Sequence, residues 1–138
     1  MEIDYNKIYF IGIGGIGMSS IALFFLNNNK EVGGYDKTKT DLTSMLSKRG
    51  ANIHYNANVS CIPFQFKEKS NTLIVYTPAV STENVELNYF VQNGYKVLKR
   101  SEILGIISRN KFCIAVAGTH GKTTTSTILS HLLYENNI

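Results

Sequence analysis

Two glycine-rich segments of this 138-residue chain carry residue types that bind phosphates. The first reads GIGGIG over Gly12–Gly17 and matches the G-x-G-x-x-G pattern of nucleotide-binding loops. We predict that Gly12 permits a tight turn, that Gly14 leaves room for a phosphate beside the backbone, and that Gly17 lets a helix pack closely. The N–H groups at the start of that helix would then face an anion.

An acidic residue stands where the ribose of a nucleotide would lie. Asp36 follows Gly17 by 19 positions, at the predicted end of the second strand, where its carboxylate can accept hydrogen bonds from ribose hydroxyls. The loop and the carboxylate do not choose between NAD, FAD and a UDP-sugar, because all three offer a diphosphate and a ribose. Taken alone, this motif favours NAD.

The second segment reads GTHGKTT over Gly118–Thr124 and follows a predicted strand, as a phosphate-binding loop should. Main-chain N–H groups would surround the phosphates, the Lys122 ammonium would neutralise charge on the β- and γ-phosphates, and the Thr123 hydroxyl would bind Mg²⁺. The spacing departs from the strict G-x-x-x-x-G-K-[ST] pattern, because Val116 stands five positions before Gly121.

Composition and the remaining reactive residues narrow the functional classes. The net charge is +4 with scattered basic residues, which argues against nucleic-acid binding, and the apolar stretches are too short to span a membrane. The two cysteines lie far apart, which fits free thiols in a reducing cytoplasm. We predict that His120 fills a loop position, and that His54 and His131 have surface or packing roles without a specific partner.

The elements that must position these loops alternate between strand and helix. Apolar runs predict strands at five places before the second loop: 7–12, 31–35, 52–55, 72–76 and 96–98. Helices are predicted between them, including one over 84–93 with Glu83 and Glu86 in its first turn, and one capped by Ser101. Residues 56–70 are predicted to be an irregular connection with at most one turn of helix. The fold class is therefore α/β, a Rossmann-like parallel sheet with helices on both faces.

A second domain is predicted to begin near Arg109–Lys111. A strand over Phe112–Ala117, the second glycine loop and a following helix form a new unit. A lone strand and helix cannot bury their own apolar faces. We therefore expect residues 1–109 to be a nucleotide-binding domain and residues 110–138 to be the truncated start of an ATPase domain.

Together the two loops resemble those of the Mur ligase family, the ATP-dependent ligases of peptidoglycan biosynthesis. The similar segments are spread over nearly the whole chain: FIGIGGIGMSSIA (Phe10–Ala22), GGYD (Gly33–Asp36), YTPAV (Tyr76–Val80), KRSEIL (Lys99–Leu104) and AVAGTHGKTTT (Ala115–Thr125). Tyr35 and Tyr76-Thr77 depart from residues common in the family, which bears only on details of nucleotide contact.

The resemblance implies that residues 1–109 hold the UDP portion of a UDP-sugar and that the second loop binds ATP with Mg²⁺. The implied UDP-sugar contacts are Gly12, Gly14, Gly15, Ile16, Gly17, Met18, Asp36, Thr77, Pro78 and Ala79. The implied ATP contacts are Gly118, Thr119, His120, Gly121, Lys122, Thr123 and Thr124, with Lys122 and Thr123 catalytic and Thr123 on the metal.

By the same resemblance, the full-length protein converts the lactyl carboxylate of UDP-N-acetylmuramate into an acyl phosphate and joins it to the amine of L-alanine. Such ligases have three domains and are much longer, so we expect these 138 residues to bind UDP-sugar without catalysing ligation. Residues 110–138, without their native neighbours, are expected to pack against another copy of the chain or against the first domain.

Three alternatives stay open at this point. A recycling ligase that attaches a whole peptide to UDP-N-acetylmuramate shares the GTHGKTT loop, although its first glycine loop differs. A non-catalytic NAD-sensing domain would explain Gly12–Gly17 and Asp36 but not the second loop. A general P-loop NTPase would explain only the second loop.

Overall fold

The computed structural model describes residues 3–109 and 111–137. The strands in these ranges are β1 (Lys7–Ile11), β2 (Glu31–Tyr35), β3 (Asn52–His54), β4 (Thr72–Tyr76) and β5 (Lys96–Lys99). The α-helices are α1 (Ile16–Asn27), α2 (Asp41–Lys48), α3 (Val85–Gln92), α4 (Arg100–Arg109) and α5 (Lys122–Glu135). Short 3₁₀ helices between β3 and β4 span Val59–Cys61, Phe64–Lys67 and Lys69–Asn71. Within the described ranges no helix is long and apolar enough to cross a bilayer.

The strands form one parallel sheet in the order β3-β2-β1-β4-β5. The chain moves outward from β1 through β2 to β3, then returns to place β4 on the other side of β1. Such a reversal leaves a crevice between the carboxyl ends of the two central strands, the usual ligand position in an open α/β sheet. The predicted α/β fold is confirmed.

Successive side chains of β1 point into two different cores. Ile8 and Phe10 face a cluster that α1, α2 and α4 cover, whereas Tyr9 and Ile11 face a second cluster beneath α3 and the 3₁₀ helices. Helices therefore cover both faces, which explains why β1 and β4 read as continuous apolar runs. The predicted apolar face of α1 is buried, and its members are Met18, Ile21, Ala22 and Phe25.

Two adjacent glycines in β2 allow unusually close packing. A Cβ atom at Gly33 would overlap the ring of Phe66, a fully buried side chain of the second core. A Cβ atom at Gly34 would lie 2.5 Å from the carbonyl oxygen of Phe10 on β1. The absence of side chains thus brings the segment between β3 and β4 directly onto the sheet.

Two local predictions need correction. The helix α4 begins at Arg100, so Ser101 lies inside its first turn and does not cap it. Glu102 satisfies the helix start instead, because its carboxylate accepts the Lys99 N–H at 2.6 Å, as the third helical residue does in a capping box. Residues 56–70 are also more ordered than predicted, since three 3₁₀ turns hold Phe66 in the core.

Residues 108–138 form a second compact unit, distinct from residues 1–107. The predicted helix is present as α5, but the strand predicted over Phe112–Ala117 is absent from the described secondary structure. A β-ladder needs a neighbouring strand, and the described residues of this unit supply none. Phe112 is accordingly 94% exposed and Ile114 48% exposed.

Replacing Gly33 by alanine tests the close packing of β2. We expect Gly33→Ala to lower the free energy of unfolding by about 1–3 kcal/mol, as overpacked cores do, in urea denaturation followed by circular dichroism. Gly105→Ala in α4 is the matched control, because its Cβ would meet no atom within 4 Å and alanine favours a helix. A Gly33→Ala protein as stable as Gly105→Ala would contradict the prediction.

Candidate functional site

A cleft of about 610 Å³ opens at the crevice between the carboxyl ends of β1 and β4. Its walls come from three segments that each follow a strand: Gly12 and Gly15 after β1, Tyr35–Lys37 at the end of β2, and residues between Thr77 and Asn84 after β4. The volume lies within the range of small-molecule sites, and the position is the one that this topology favours for ligands.

The turn that leaves β1 forms the floor of the cleft. Gly12 adopts a left-handed conformation, with φ of 84°, and a Cβ atom there would lie 2.7 Å from Thr77 Cγ2. The N–H groups of Gly12 and Ile13 both donate to the Tyr35 carbonyl oxygen, at 2.8 and 3.1 Å. The backbone of the first loop is therefore fixed by the end of β2 and closely approached by the loop after β4.

Asp36 lies against the same turn. Its Oδ2 atom accepts the Gly14 N–H at 2.6 Å, and its Oδ1 atom accepts the Thr38 N–H at 3.0 Å. A Cβ atom at Gly14 would lie 2.8 Å from Asp36 Oδ2 and 2.9 Å from Thr43 Cγ2. In the structure, the close approach that Gly14 permits is therefore to protein side chains, and the predicted contacts of Gly14 with phosphate and of Asp36 with ribose stay predictions.

The first turn of α1 has no side-chain cap. Gly15 is its N-cap residue, and α1 has no acidic residue in its first turn. Ile16 is 80% exposed, whereas the Met18 side chain is buried in the core and can offer a ligand only its N–H. Arg100 lies over this turn, because a Cβ atom at Gly17 would lie 2.6 Å from Arg100 Nη1. A positive helix end beside a guanidinium favours an anion.

The predicted loop after β4 is divided between two cavities. Thr77 and Ala79 line the cleft with Gly12, whereas Pro78 lines an adjoining cavity of about 520 Å³ with Tyr76 and Val80. The Val80 N–H donates to the Thr77 carbonyl oxygen at 3.0 Å, which closes this loop into a turn. The turn holds Thr77 against the first glycine loop.

The second glycine loop precedes α5 in the second unit. Gly121 is the N-cap residue of α5 and adopts a left-handed conformation, with φ of 76°. The Lys122 ammonium donates to the Gly118 carbonyl oxygen at 2.6 Å, which folds the side chain back over the loop. No side chain caps the first turn of α5. An uncapped helix start, a lysine beside it and an exposed Thr123 fit the chemistry of a triphosphate with a divalent metal.

The other predicted residues of the second loop are exposed. Thr119, His120 and Thr124 are open to solvent, as is the rest of the loop over residues 118–124. His131, predicted to have a surface or packing role, is exposed on α5. Their contacts with ATP stay predictions.

Several residues at the cleft were not singled out by sequence reasoning. Lys37, Ser81 and Asn84 line it, because they continue from the ends of β2 and β4, and the order of strands was the signal that could have found them. Tyr35, which the resemblance linked to nucleotide contact, lines it as well. So does Glu83, which precedes the N-cap residue Asn84 and therefore lies outside the first turn of α3, where it was predicted. Sequence reasoning also did not find a hydrogen-bond network of Tyr9, His54 and Glu86. Its members lie on three different elements, so no local spacing reveals it.

Comparison with known families identifies this architecture. A family model described as "Mur ligase family, catalytic domain" matches residues 7–112, which is most of the chain. The chain belongs to the Mur ligase family. The match includes the sheet and the cleft of the first unit and ends before the second glycine loop.

Curated Mur ligases resemble the chain over part of their length. It is 51% identical over 138 residues to UDP-N-acetylmuramate–L-alanine ligase of Parabacteroides distasonis, an alignment that covers 98% of this chain and 30% of the relative. It is 53% identical over 131 residues to the protein of the same name from Flavobacterium psychrophilum, covering 95% of this chain and 29% of the relative. The chain thus spans about three-tenths of the length of these relatives.

Solved structures of two Mur ligases share the fold. The UDP-N-acetylmuramate–alanine ligase of Thermotoga maritima matches with a TM-score of 0.83 and 32% identity, over 95% of this chain and 30% of that one. A murein peptide ligase of Psychrobacter arcticus matches with a TM-score of 0.83 and 27% identity, over 95% of this chain and 27% of that one. Backbone similarity alone therefore does not separate the two kinds of ligase.

Proposed function

We propose that the first unit binds the UDP portion of UDP-N-acetylmuramate in the cleft beside Gly12 and Thr77. The observation that carries this proposal is the uncapped start of α1 at the topological switch point of a Mur ligase sheet. The diphosphate would lie against the N–H groups of Ile16, Gly17 and Met18, where the helix dipole is positive.

The remaining cleft residues suit the rest of the nucleotide. Asp36 already accepts two backbone N–H groups, but each carboxylate oxygen has a second lone pair that can accept a ribose hydroxyl. Lys37 on the wall of the cleft and Arg100 beside Gly17, where it lines a neighbouring cavity, would supply positive charge near the diphosphate. The turn from Thr77 to Val80 would cover the nucleotide from the β4 side.

For the second unit we propose a role in holding ATP and Mg²⁺. The backbone N–H groups of Gly118–Thr124 would surround the phosphates. The Lys122 ammonium donates to the carbonyl oxygens of Gly118 and Thr119, and its third hydrogen remains for a phosphate oxygen. Thr123 would supply a hydroxyl oxygen to the metal. Bound ATP supplies the phosphoryl group that makes a carboxylate reactive, and the loop's contribution is positioning and charge neutralisation.

The reaction that we propose for the whole protein joins L-alanine to UDP-N-acetylmuramate in peptidoglycan biosynthesis. The lactyl carboxylate takes a phosphoryl group to become an acyl phosphate, and the alanine amine then displaces phosphate to form an amide. Among the solved structures the alanine ligase is 32% identical and the peptide ligase 27%, and curated alanine ligases reach 51% and 53%, which favours L-alanine over a peptide. The NAD-sensing and general NTPase alternatives gain no support from a Mur ligase match.

Thermal melting with added nucleotides tests the proposed ligand of the first unit. A ligand that binds only the folded chain raises the free energy of unfolding by about 2.7 kcal/mol at a hundredfold excess over Kd. We expect UDP and UDP-N-acetylmuramate to raise the melting temperature and NAD to leave it unchanged. Stabilisation by NAD alone would overturn the proposal.

Asp36→Asn places the ribose contact under the same test. Asparagine keeps an oxygen that can accept the Gly14 N–H, so the turn should stay folded, but it removes a charged acceptor. Its NH2 group cannot accept the Thr38 N–H, which is exposed and can bond to water instead. We expect UDP affinity to fall about tenfold, the effect of one charge-assisted hydrogen bond. Asp4→Asn, a substitution of an exposed carboxylate, is the matched control. Unchanged UDP affinity in Asp36→Asn would remove Asp36 from the site.

A turnover assay tests our proposal that these 138 residues do not catalyse ligation on their own. The chain spans about three-tenths of the length of its ligase relatives, and the second unit contributes one loop and one helix. We expect no phosphate release above background with ATP, Mg²⁺, L-alanine and UDP-N-acetylmuramate. Release that depends on all three substrates would contradict this.

Exposed apolar side chains of the second unit support a further proposal, that copies of the chain associate through residues 110–138. Phe112 is 94% exposed, Ile128 56% and Leu132 54%. We expect Leu132→Asn to shift the chain towards monomer in sedimentation velocity. Val91→Asn, at an equally exposed position on α3, is the control and should leave the distribution unchanged. A monomeric parent chain would refute association.

A further inference from the structure

A buried hydrogen-bond network lies beneath the cleft. The Tyr9 hydroxyl oxygen is 2.6 Å from His54 Nε2 and 2.7 Å from Glu86 Oε2. Tyr9 and Glu86 are fully buried, and the His54 side chain is 16% exposed. The other carboxylate oxygen, Glu86 Oε1, accepts the Asn58 N–H at 3.1 Å. The network therefore joins β1, β3, α3 and the segment after β3.

The contacts of this network need one hydrogen more than a neutral histidine, an ionised glutamate and a tyrosine hydroxyl supply. The His54 Nδ1 atom is 3.0 Å from the Asn56 carbonyl oxygen, which can only accept, so Nδ1 carries a hydrogen. The contacts of the Tyr9 oxygen with Nε2 and with Oε2 each require a hydrogen. A neutral His54 and an ionised Glu86 leave only the hydroxyl hydrogen for both contacts. One added proton, on Nε2 or on Oε2, completes them.

We propose that Tyr9, His54 and Glu86 share one proton at neutral pH, and that this proton positions the walls of the cleft for a nucleotide. The second half of this statement rests on the proposed function of the cleft, whereas the first half does not. With the proton present, both contacts are hydrogen bonds and the network is neutral overall. Without it, two lone pairs face each other at 2.6 or 2.7 Å, so one contact must open.

The surroundings favour the neutral arrangement with the proton on Glu86. Burial raises the pKa of Glu86 to about 7, although its hydrogen bonds from Tyr9 and Asn58 oppose the change. Burial also lowers the pKa of His54, against the opposing hydrogen bond to Asn56. Burial and the Glu86 charge raise the pKa of Tyr9, so the hydroxyl keeps its hydrogen. The titratable groups around Glu86 and Tyr9 in the described residues are His54, Tyr35, Cys61 and, beyond Tyr35, Asp36.

The network is tied to three walls of the cleft. The His54 carbonyl oxygen accepts the Asp36 N–H at 3.2 Å, and the His54 ring centroid lies 5.8 Å from that of Tyr35. Glu86 follows Asn84, the N-cap residue of α3, whose side chain accepts the Glu86 N–H at 3.1 Å. Because Tyr35, Asp36 and Asn84 line the cleft, opening a contact of Tyr9 loosens the walls that these residues form.

The same proton count fixes the direction of the pH dependence of stability. At pH values between the ordinary pKa values of 4.5 for glutamate and 6.5 for histidine, Glu86 and His54 together carry one proton in the unfolded chain, as they do in the folded network. The free energy of unfolding therefore does not change with pH in this range. Above 6.5 the unfolded chain loses its proton while the folded network keeps one. The contribution of the network to the free energy of unfolding therefore falls as pH rises from 6.5 through the titration midpoint of the folded network, and it is constant above that midpoint.

Nuclear magnetic resonance titration of the 138-residue chain tests the shared proton directly. We expect the Glu86 carboxyl carbon and the His54 ring nitrogens to respond together, with one midpoint at pH 7 or above. Glu86→Gln supplies the missing hydrogen from its amide, so His54 should stay neutral and show no step at that midpoint. Glu31→Gln, a substitution of an exposed carboxylate on β2, should leave the midpoint unchanged. Titration of Glu86 near 4.5 with His54 separately near 6.5 would overturn the proposal.

Calorimetric titration with UDP between pH 7 and 9 tests the coupling to the cleft. We expect affinity of the parent chain and of Glu31→Gln to fall by a factor of about three to ten across the network midpoint, the effect of one lost hydrogen bond. The affinity of Glu86→Gln should stay constant. Parallel profiles for all three proteins would overturn the coupling. No UDP binding at any pH would instead overturn the proposed function, and the titration of Glu86 and His54 would still decide the shared proton.

Discussion

The turn from β1 into α1 has little space for side chains at Gly12 and Gly14, and the flexible Arg100 side chain fills the space beside Gly17 in the first turn of α1. Neighbouring residues from three other segments occupy the space where Cβ atoms would lie: Thr77 beside Gly12, Asp36 beside Gly14, and Arg100 beside Gly17. Residues that follow β4, β2 and β5 thus converge on one stretch of bare backbone. The cleft lies between the segments that follow β4 and β2, so its shape depends on glycine at positions 12 and 14 of the turn.

Polar contacts also fix that turn. The Tyr35 carbonyl oxygen accepts two N–H groups from the turn, and the Asp36 carboxylate accepts a third. The same end of β2 is bonded to His54 on β3. Since His54 contacts Tyr9 in the layer beneath, the loop that would face a ligand is connected to buried polar groups on the opposite side of the sheet.

Sequence reasoning succeeded where the signal was local. The spacing of Met18, Ile21 and Phe25 predicted the buried face of α1, and the glycine pattern predicted the turn before it. It failed for Glu86, whose place in the first turn of a helix was explained by the helix dipole alone. Its partner Tyr9 lies on a strand that only the order of the sheet brings near. His54 was placed without a partner for the same reason.

The second unit shows a different limit of local signals. The run FCIAVA has the composition of a buried strand, yet residues 112–117 form no ladder in the described structure. Strand propensity measures how well side chains fit a pleated, half-buried surface, and such a surface exists only when neighbours are present. Helix α5 forms because its hydrogen bonds are internal to the segment.

The position of β1 at the centre of the sheet also orders the folding of the first unit in time. One edge of β1 pairs with β2, beginning at Glu31, but the other pairs with β4, beginning at Thr72. During synthesis the second edge of β1 therefore stays unpaired until the ribosome has released the roughly forty residues from the start of β2 to the start of β4. Throughout that interval a nascent chain presents an apolar strand with an unpaired edge, which is the kind of surface that chaperones bind and that promotes misassembly.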